Sequence, residues 1–336
     1  MGRHRQTGPP RRSRSVIVYP LVLLLALGVG AVTWQSPVAG LASGFFAPDP
    51  APNVAVSPET TPTAAATPEP TPTTTPDRPT ADTTTSATRS GISCTYPAGA
   101  TATVRTLQDR LAEAVASTPT RLAVTVYDWQ TGSWCDFRGS TRFEAASVIK
   151  ATTVATLLWQ AENQDREPSS TELAWAEDAI TVSDNDAETA LWESVGGASG
   201  VQSFLTAAGM KDTRPGADGF WGLSQVTADD QVRLLQQLAH SGVLNEDHRH
   251  QELSLMRQVT LSQRWGVPTN APEGSNVAVK NGWLSGTDGW HVNTIGYISG
   301  DECEYAVAVL SDRSTTMEMG IASVETVAQA VHTTLV

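Results

Sequence analysis

In the stretch "EAASVIKATTVATLLWQ" (residues 144–160), Ser147 and Lys150 stand three residues apart inside an apolar run whose pattern predicts a buried helix. Positions i and i+3 share one helix face, so an alcohol and an amine lie side by side. A serine hydroxyl is a weak nucleophile until a base takes its proton. An amine can be that base once it has shed its own proton, and burial favours this by lowering lysine from about 10.4 in water. Arginine cannot do so, because its guanidinium stays protonated. The chain has 3 lysines against 19 arginines, so lysine is not its ordinary source of positive charge. The plain alternative is a chance Ser-x-x-Lys whose amine reaches out to solvent.

Two further clusters bear on that choice. "AITVSDNDA" puts Ser183, Asp184 and Asn185 at the junction of two predicted helices, where any of the three is also a good N-cap. "VAVKNGW" puts Lys280 on a predicted strand, followed by Asn281, Gly282 and Trp283; a lysine there could also simply face solvent. The third lysine, Lys211, lies in the polar "GMKDTRPG" and is expected at the surface.

With "SVIK", "SDN" and "KNG" in this order, the chain resembles the class A β-lactamases and related penicillin-recognising serine hydrolases of the β-lactamase/DD-peptidase superfamily. The likeness extends to "FRGSTRFEAASVIK" and "AITVSDNDAETALW" and covers roughly residues 101–336. It implies that Ser147 is the acylated nucleophile, Lys150 its base or the base's partner, and Ser183 the relay of a proton to the departing nitrogen. It also implies that Asn185 and Lys280 bind substrate, together with the Asn281–Gly282–Trp283 segment. The backbone N–H groups of Ser147 and Trp283 would form the oxyanion hole. Three departures stand out. Asn281 occupies the place of a hydroxyl residue that bonds a substrate carboxylate. Only 36 residues separate Ser147 from Ser183, short for the family. The glutamate that activates the deacylating water in the family's β-lactamases has no counterpart, since no Glu occurs between Glu193 and Glu246. Asp212 and Asp218 are the available acids there, each beside turn residues. Trp221, Trp283 and Trp290 are expected near the cleft, where they serve as stacking surfaces or as ordinary core. No G-x-S-x-G is present, which disfavours the other common serine-hydrolase layout.

The elements that must position these residues follow from periodicity. Residues 101–116 read as a helix, and "RLAVTVYDWQTGSWCDF" as a hairpin turning near Thr131-Gly132. Residues 171–243 read as mainly helical, the last helix opening at Thr227 and capped by Gly242. "NVAVKNGWLSG", "WHVNTIGYISG" and "EYAVAVLSD" read as three antiparallel strands, and 324–333 as a closing helix. This order predicts an α+β domain of the β-lactamase/transpeptidase type. It has a five-stranded antiparallel sheet flanked by terminal helices, with an all-helical subdomain inserted in the middle.

Outside that domain the chain changes character twice. Residues 1–14 carry five arginines and no acid, and 15–35 are apolar enough to span a membrane, with a cytoplasmic N-terminus. A cleaved secretory signal is the alternative. Residues 36–90 are rich in Pro and Thr and have few large apolar side chains beyond the first positions, which predicts a disordered stalk. The expectation is a single-pass membrane protein whose domain, residues 91–336, is extracellular and monomeric. With secretion after cleavage, the same domain would be released. That domain holds 15 basic against 30 acidic residues, which argues against nucleic acid as a partner. The partners expected are the membrane, through the N-terminal helix, and a β-lactam or peptidoglycan-derived small molecule. No cofactor or metal is expected. Cys94, Cys135 and Cys303 allow one disulfide of undetermined pairing, and His248 and His250 are expected at the surface. The functional expectation is an acyl-serine hydrolase with weak β-lactam turnover. The alternative is a degenerate, non-hydrolytic module on the same fold that binds peptidoglycan or a partner.

Overall fold

A computed structural model describes residues 84–336 apart from Ser241. The basic segment 1–14, the apolar segment 15–35 and most of the expected stalk lie outside the described residues. Among the described residues, no helix is long and apolar enough to cross a membrane.

The chain runs β1 (Thr84–Arg89), β2 (Ile92–Pro97), α1 (Thr101–Ser117), β3 (Arg121–Asp128), β4 (Ser133–Phe137) and β5 (Arg142–Glu144). The helices α2 (Ile149–Asn163), α3 (Ser170–Thr181), α4 (Asn185–Ser194) and α5 (Gly197–Ala207) follow. Then come β6 (Gln225–Thr227), α6 (Ala228–Ala239), α7 (Glu246–Arg257), β7 (Asn276–Gly286), β8 (Gly289–Ser299), β9 (Glu304–Ser314) and α8 (Met317–His332). The main sheet is antiparallel with order β1-β2-β4-β3-β9-β8-β7. α1 and α8 pack on each other and on this sheet, burying Leu107, Leu111, Val324 and Val327.

The sheet has seven strands where five were expected. The two additions, β1 and β2, form a hairpin whose turn is Ser90-Gly91, both with positive φ (50° and 83°). That is the left-handed pair a tight two-residue hairpin needs, and Ser-Gly supplies it. The strand "TTSATR" carries no large apolar residue because it lies at the sheet edge, so its composition blends with the Thr-rich segment before it. A strand therefore occupies Thr84–Arg89, within the segment assigned by composition to the stalk. Cys94 and Cys135 face each other across β2 and β4 and form the disulfide, leaving Cys303 free and buried.

Two other expectations need correction. The helix opened by Thr227 ends at Ala239 with His240 as its C-cap, so Gly242 is not the cap. α7 was not foreseen, because "EDHRHQELSLMR" buries polar His248 and Glu252 alongside Leu253 and Met256, which breaks the apolar period. His248 is thus buried, not superficial; its Nδ1 lies 2.6 Å from Glu162 Oε1. His250 and Lys211 are exposed, as expected.

α2 is the centre of the helical insertion. Of its 15 residues, 11 are buried, so it is enclosed on all sides and its one lysine is buried with it. The short ribbon of β5 with β6 closes the insertion where the chain leaves and returns, and Phe143 is buried in it.

Candidate active site

The site is built where the first turn of α2, the α3–α4 junction and strand β7 converge. Ser147 lies in a single 3-10 turn, Ala146–Val148, that leads into α2. Ala146, just before it, has φ 48°, a left-handed conformation that costs a non-glycine residue roughly 1–2 kcal/mol. Ser183 has φ 60°. Strain of this kind in residues with side chains tends to collect at functional sites, where surrounding structure holds it.

Two contacts hold the turn. Buried Asn293 on β8 donates through Nδ2 to Glu144 O at 2.8 Å and Ala145 O at 3.0 Å, while its Oδ1 accepts from Ser311 N at 3.0 Å. Gly282 on β7 presses against the same backbone. A Cβ there would come within 2.7 Å of Ser147 N and Val148 N, so only glycine allows this approach. The glycine of the third cluster is therefore explained by steric necessity. Asn293 was missed in the sequence because a polar residue inside a strand gives no signal of its partners.

Asp184 is the N-cap of α4, its side chain accepting from Ala187 N at 2.8 Å. The capping alternative thus accounts for one residue of the triplet and leaves its two neighbours for Lys150. Lys150 Nζ donates to Ser183 O (2.7 Å), Asp184 O (2.9 Å) and Asn185 Oδ1 (2.9 Å), with Ser183 Oγ at 3.3 Å. Lys280 Nζ donates to Ser183 Oγ at 3.0 Å and Asn281 O at 2.9 Å. The Ser183 hydroxyl therefore lies between two amines, both on fully buried side chains. Among the described residues, Lys150 makes no hydrogen bond to the Ser147 hydroxyl.

Burial lowers Lys150 to about 8, against the carboxylates of Glu188 and Asp184, which hold the proton on. Lys280 is pushed well below its ordinary value by burial and by the Lys150 charge, with Glu188 opposing. Glu188 was not singled out in the sequence. It lies three residues after Asn185, about one helical turn on, and is fully buried. Burial raises it to about 7, against the Thr153 hydrogen bond and the two lysines. Its helical spacing from the Ser-Asp-Asn triplet was a usable signal, but only the packing of α4 on α2 shows which way it faces.

Asn281 is fully buried and donates through Nδ2 to Gln263 O (2.7 Å) and Trp265 O (2.8 Å). Its amide hydrogens are thus spent on the chain itself, unlike a hydroxyl offered to a substrate. Asp212 is ion-paired with Arg142 at 3.5 Å, and Asp218 is exposed in a turn with φ 54°. Trp221 sets its ring over the Lys150 amine, 4.9 Å from the centroid, and its Nε1 donates to Thr189 Oγ1 at 3.2 Å. Half-buried Trp283 packs edge-on against Trp265 at 5.9 Å, and Trp290 lies farther along the β7–β8 ladder, opposite Ser285.

The chain is 32% identical to Beta-lactamase PSE-4 of Pseudomonas aeruginosa over 118 residues, or 28% of this chain and 41% of that protein. It therefore spans about two fifths of the length of that curated relative. It is 28% identical over 200 residues to LppW of Mycobacterium tuberculosis, a protein named as a lipoprotein, covering 56% of this chain and 62% of that one. A class A β-lactamase structure from Bacteroides cellulosilyticus superposes with a TM-score of 0.61 at 16% identity, covering 69% of this chain and 98% of that one. The fold is thus that of the class A β-lactamases. The pattern of the "Beta-lactamase enzyme family" matches residues 106–173 and 166–335, and the chain belongs to that family.

Proposed function

We propose that this protein is a membrane-anchored, extracytoplasmic serine hydrolase. It forms an acyl-enzyme on Ser147 with β-lactams or with D-alanyl peptide and ester substrates. The observation that carries this reading is the Ser183 hydroxyl held between two desolvated amines beside the first turn of α2. Attack forms the bond from Ser147 Oγ to the carbonyl carbon while the hydroxyl proton passes to the Lys150 amine. The backbone N–H groups of Ser147 and Trp283 adjoin the Gly282 approach and receive the oxyanion. As the C–N bond breaks, the proton moves from Lys150 through the Ser183 hydroxyl to the departing nitrogen. Asn185 has its Oδ1 on Lys150, which leaves its Nδ2 for a substrate amide carbonyl. Buried Lys280 acts through Ser183 and through its charge.

No glutamate lies in the 194–245 segment, and the aspartates there are paired or exposed. A β-lactam acyl-enzyme keeps its opened ring attached, so water must be deprotonated in place by a positioned base. The penicilloyl adduct is therefore long-lived, while substrates whose leaving group departs are released faster. The decisive experiment is intact mass of the protein after exposure to a penicillin, followed over time. A persistent adduct that disappears in Ser147→Ala supports the proposal, and rapid multiple turnover shows that another group activates water.

A second reading, a non-hydrolytic binding module, is favoured by the commitment of Lys150 to the Ser183–Asn185 segment and not to Ser147. Absence of any adduct would select it. The anchor at 15–35 and the stalk that follows belong to the same proposal. The arginine-flanked apolar run and the lipoprotein name of LppW support the extracytoplasmic placement. External protease on intact cells releases the domain if this is right and leaves it intact if it is cytoplasmic.

A further inference from the structure

Two lysine side chains that are both fully buried and both donate to one hydroxyl cannot each stay charged without an anion nearby. Desolvation and mutual repulsion act together against the second proton. The fully buried carboxyl group that acts on both lysines is that of Glu188 on α4. Its Oε1 accepts from Thr153 Oγ1 at 2.7 Å, and Thr153 lies three residues beyond Lys150 on α2. Its Oε2 is buried and has no hydrogen-bond partner among the described residues. Such an orphan oxygen is destabilising unless a nearby opposite charge offsets its loss of water.

We propose that Glu188 is a positioning residue for the reaction at Ser147, its carboxylate being the counter-charge of the Lys150–Lys280 pair that sets how readily Lys150 gives up its proton. This deepens the serine-hydrolase reading and rests on it for its catalytic meaning, but the electrostatic claim stands apart. Glu188 is not the missing water-activating acid. It has no exposed surface, and the hydrogen bond that fixes it runs to α2. The charged groups around Lys150 are Asp184 and Glu188 from α4 and Lys280 from β7, with the Trp221 ring covering its amine. Asp184 is held by its capping bond to Ala187 N. Glu188 is thus the carboxylate whose charge can be withdrawn without unfastening α4.

The experiment uses the small number of lysines. In the full chain labelled with ¹³Cε-lysine, 3 signals are expected, assigned with Lys211→Arg and Lys150→Arg, and each is followed against pH. In Glu188→Gln the amide still accepts from Thr153 but carries no charge. The Lys150 midpoint should fall by about one pH unit, since a carboxylate that favours the ammonium is gone. Thr153→Val keeps the carboxylate but weakens it, and should move Lys150 the same way by less. A Lys150 midpoint unchanged in both variants overturns the proposal, whether or not the protein is an enzyme. In parallel, the acid limb of penicillin labelling should move to lower pH in Glu188→Gln. Labelling absent from the parent protein, with the NMR shift intact, refutes the hydrolase reading alone.

Discussion

Glu188 on α4 and Glu252 on α7 are both glutamates with no exposed surface, and burial raises both above the ordinary carboxylate range. Their surroundings differ. Glu188 accepts from a threonine hydroxyl and feels two lysines, and these oppose the rise, holding it to about 7. Glu252 has no hydrogen-bond partner on either oxygen among the described residues, and burial alone pushes it well above 4.5. A buried acid by itself thus marks only a group that keeps its proton. A buried acid set against amines that share a hydroxyl is instead part of a network of opposed charges.

The comparison breaks first at Lys150. If the amines near Glu188 are chemical, Lys150→Arg lowers the rate of penicillin labelling on the order of 10³-fold, the usual worth of a positioned base. Arginine keeps the charge but cannot accept the proton. Labelling at the parent rate would reduce the Glu188 cluster to a structural ion group like any other. Gly282→Ala comes next. Its Cβ would strike the backbone of Ser147 and Val148, displacing the proposed oxyanion donors, and labelling should fall about 10²-fold. Stopped-flow fluorescence with a labelled penicillin reads both.

The third outcome concerns pH. If Lys150 is the base, it must be neutral to act, and its folded value is about 8. Labelling should therefore fall about tenfold for each pH unit below that point, as the ammonium form accumulates, and level off above it. A rate independent of pH between 5.5 and 8 would remove Lys150 from the proton path. The smallest effect belongs to Glu252. Its raised value means that the folded state keeps a proton which the unfolded chain releases above about pH 4.3. Stability from this group is complete below that pH and is lost as pH rises toward the folded value, by about 1.4 kcal/mol per unit at most. Glu252→Gln should flatten that slope in urea unfolding measured from pH 5 to 7, with labelling at Ser147 unchanged. A labelling change in this variant would erase the distinction between the two acids.

Local chemistry is what a chain announces before it folds. Ser147 and Lys150 share a face because three residues is nearly one helical turn, and Thr227 caps α6 because its hydroxyl reaches Asp230 N. The strands β7, β8 and β9 were legible in their alternation and fell within a residue or two of where periodicity set them. The edge strand β1 was not, because an edge needs no apolar face and "TTSATR" offers none, leaving Ser90-Gly91 as its one mark. The Cys94–Cys135 pairing, the clamp of Asn293 on residues 144 and 145 and the burial of Asn281 beneath 263–265 join segments far apart in sequence. Glu188 illustrates the same limit at closest range. Its spacing from Asn185 was visible, but its meaning depends on α4 lying against α2 so that carboxylate and amines share one dry interior. Spacing along a helix is set by backbone geometry within a few residues and can be read from sequence. Desolvation and charge pairing are set by what packs across the gap, and that only the tertiary structure decides.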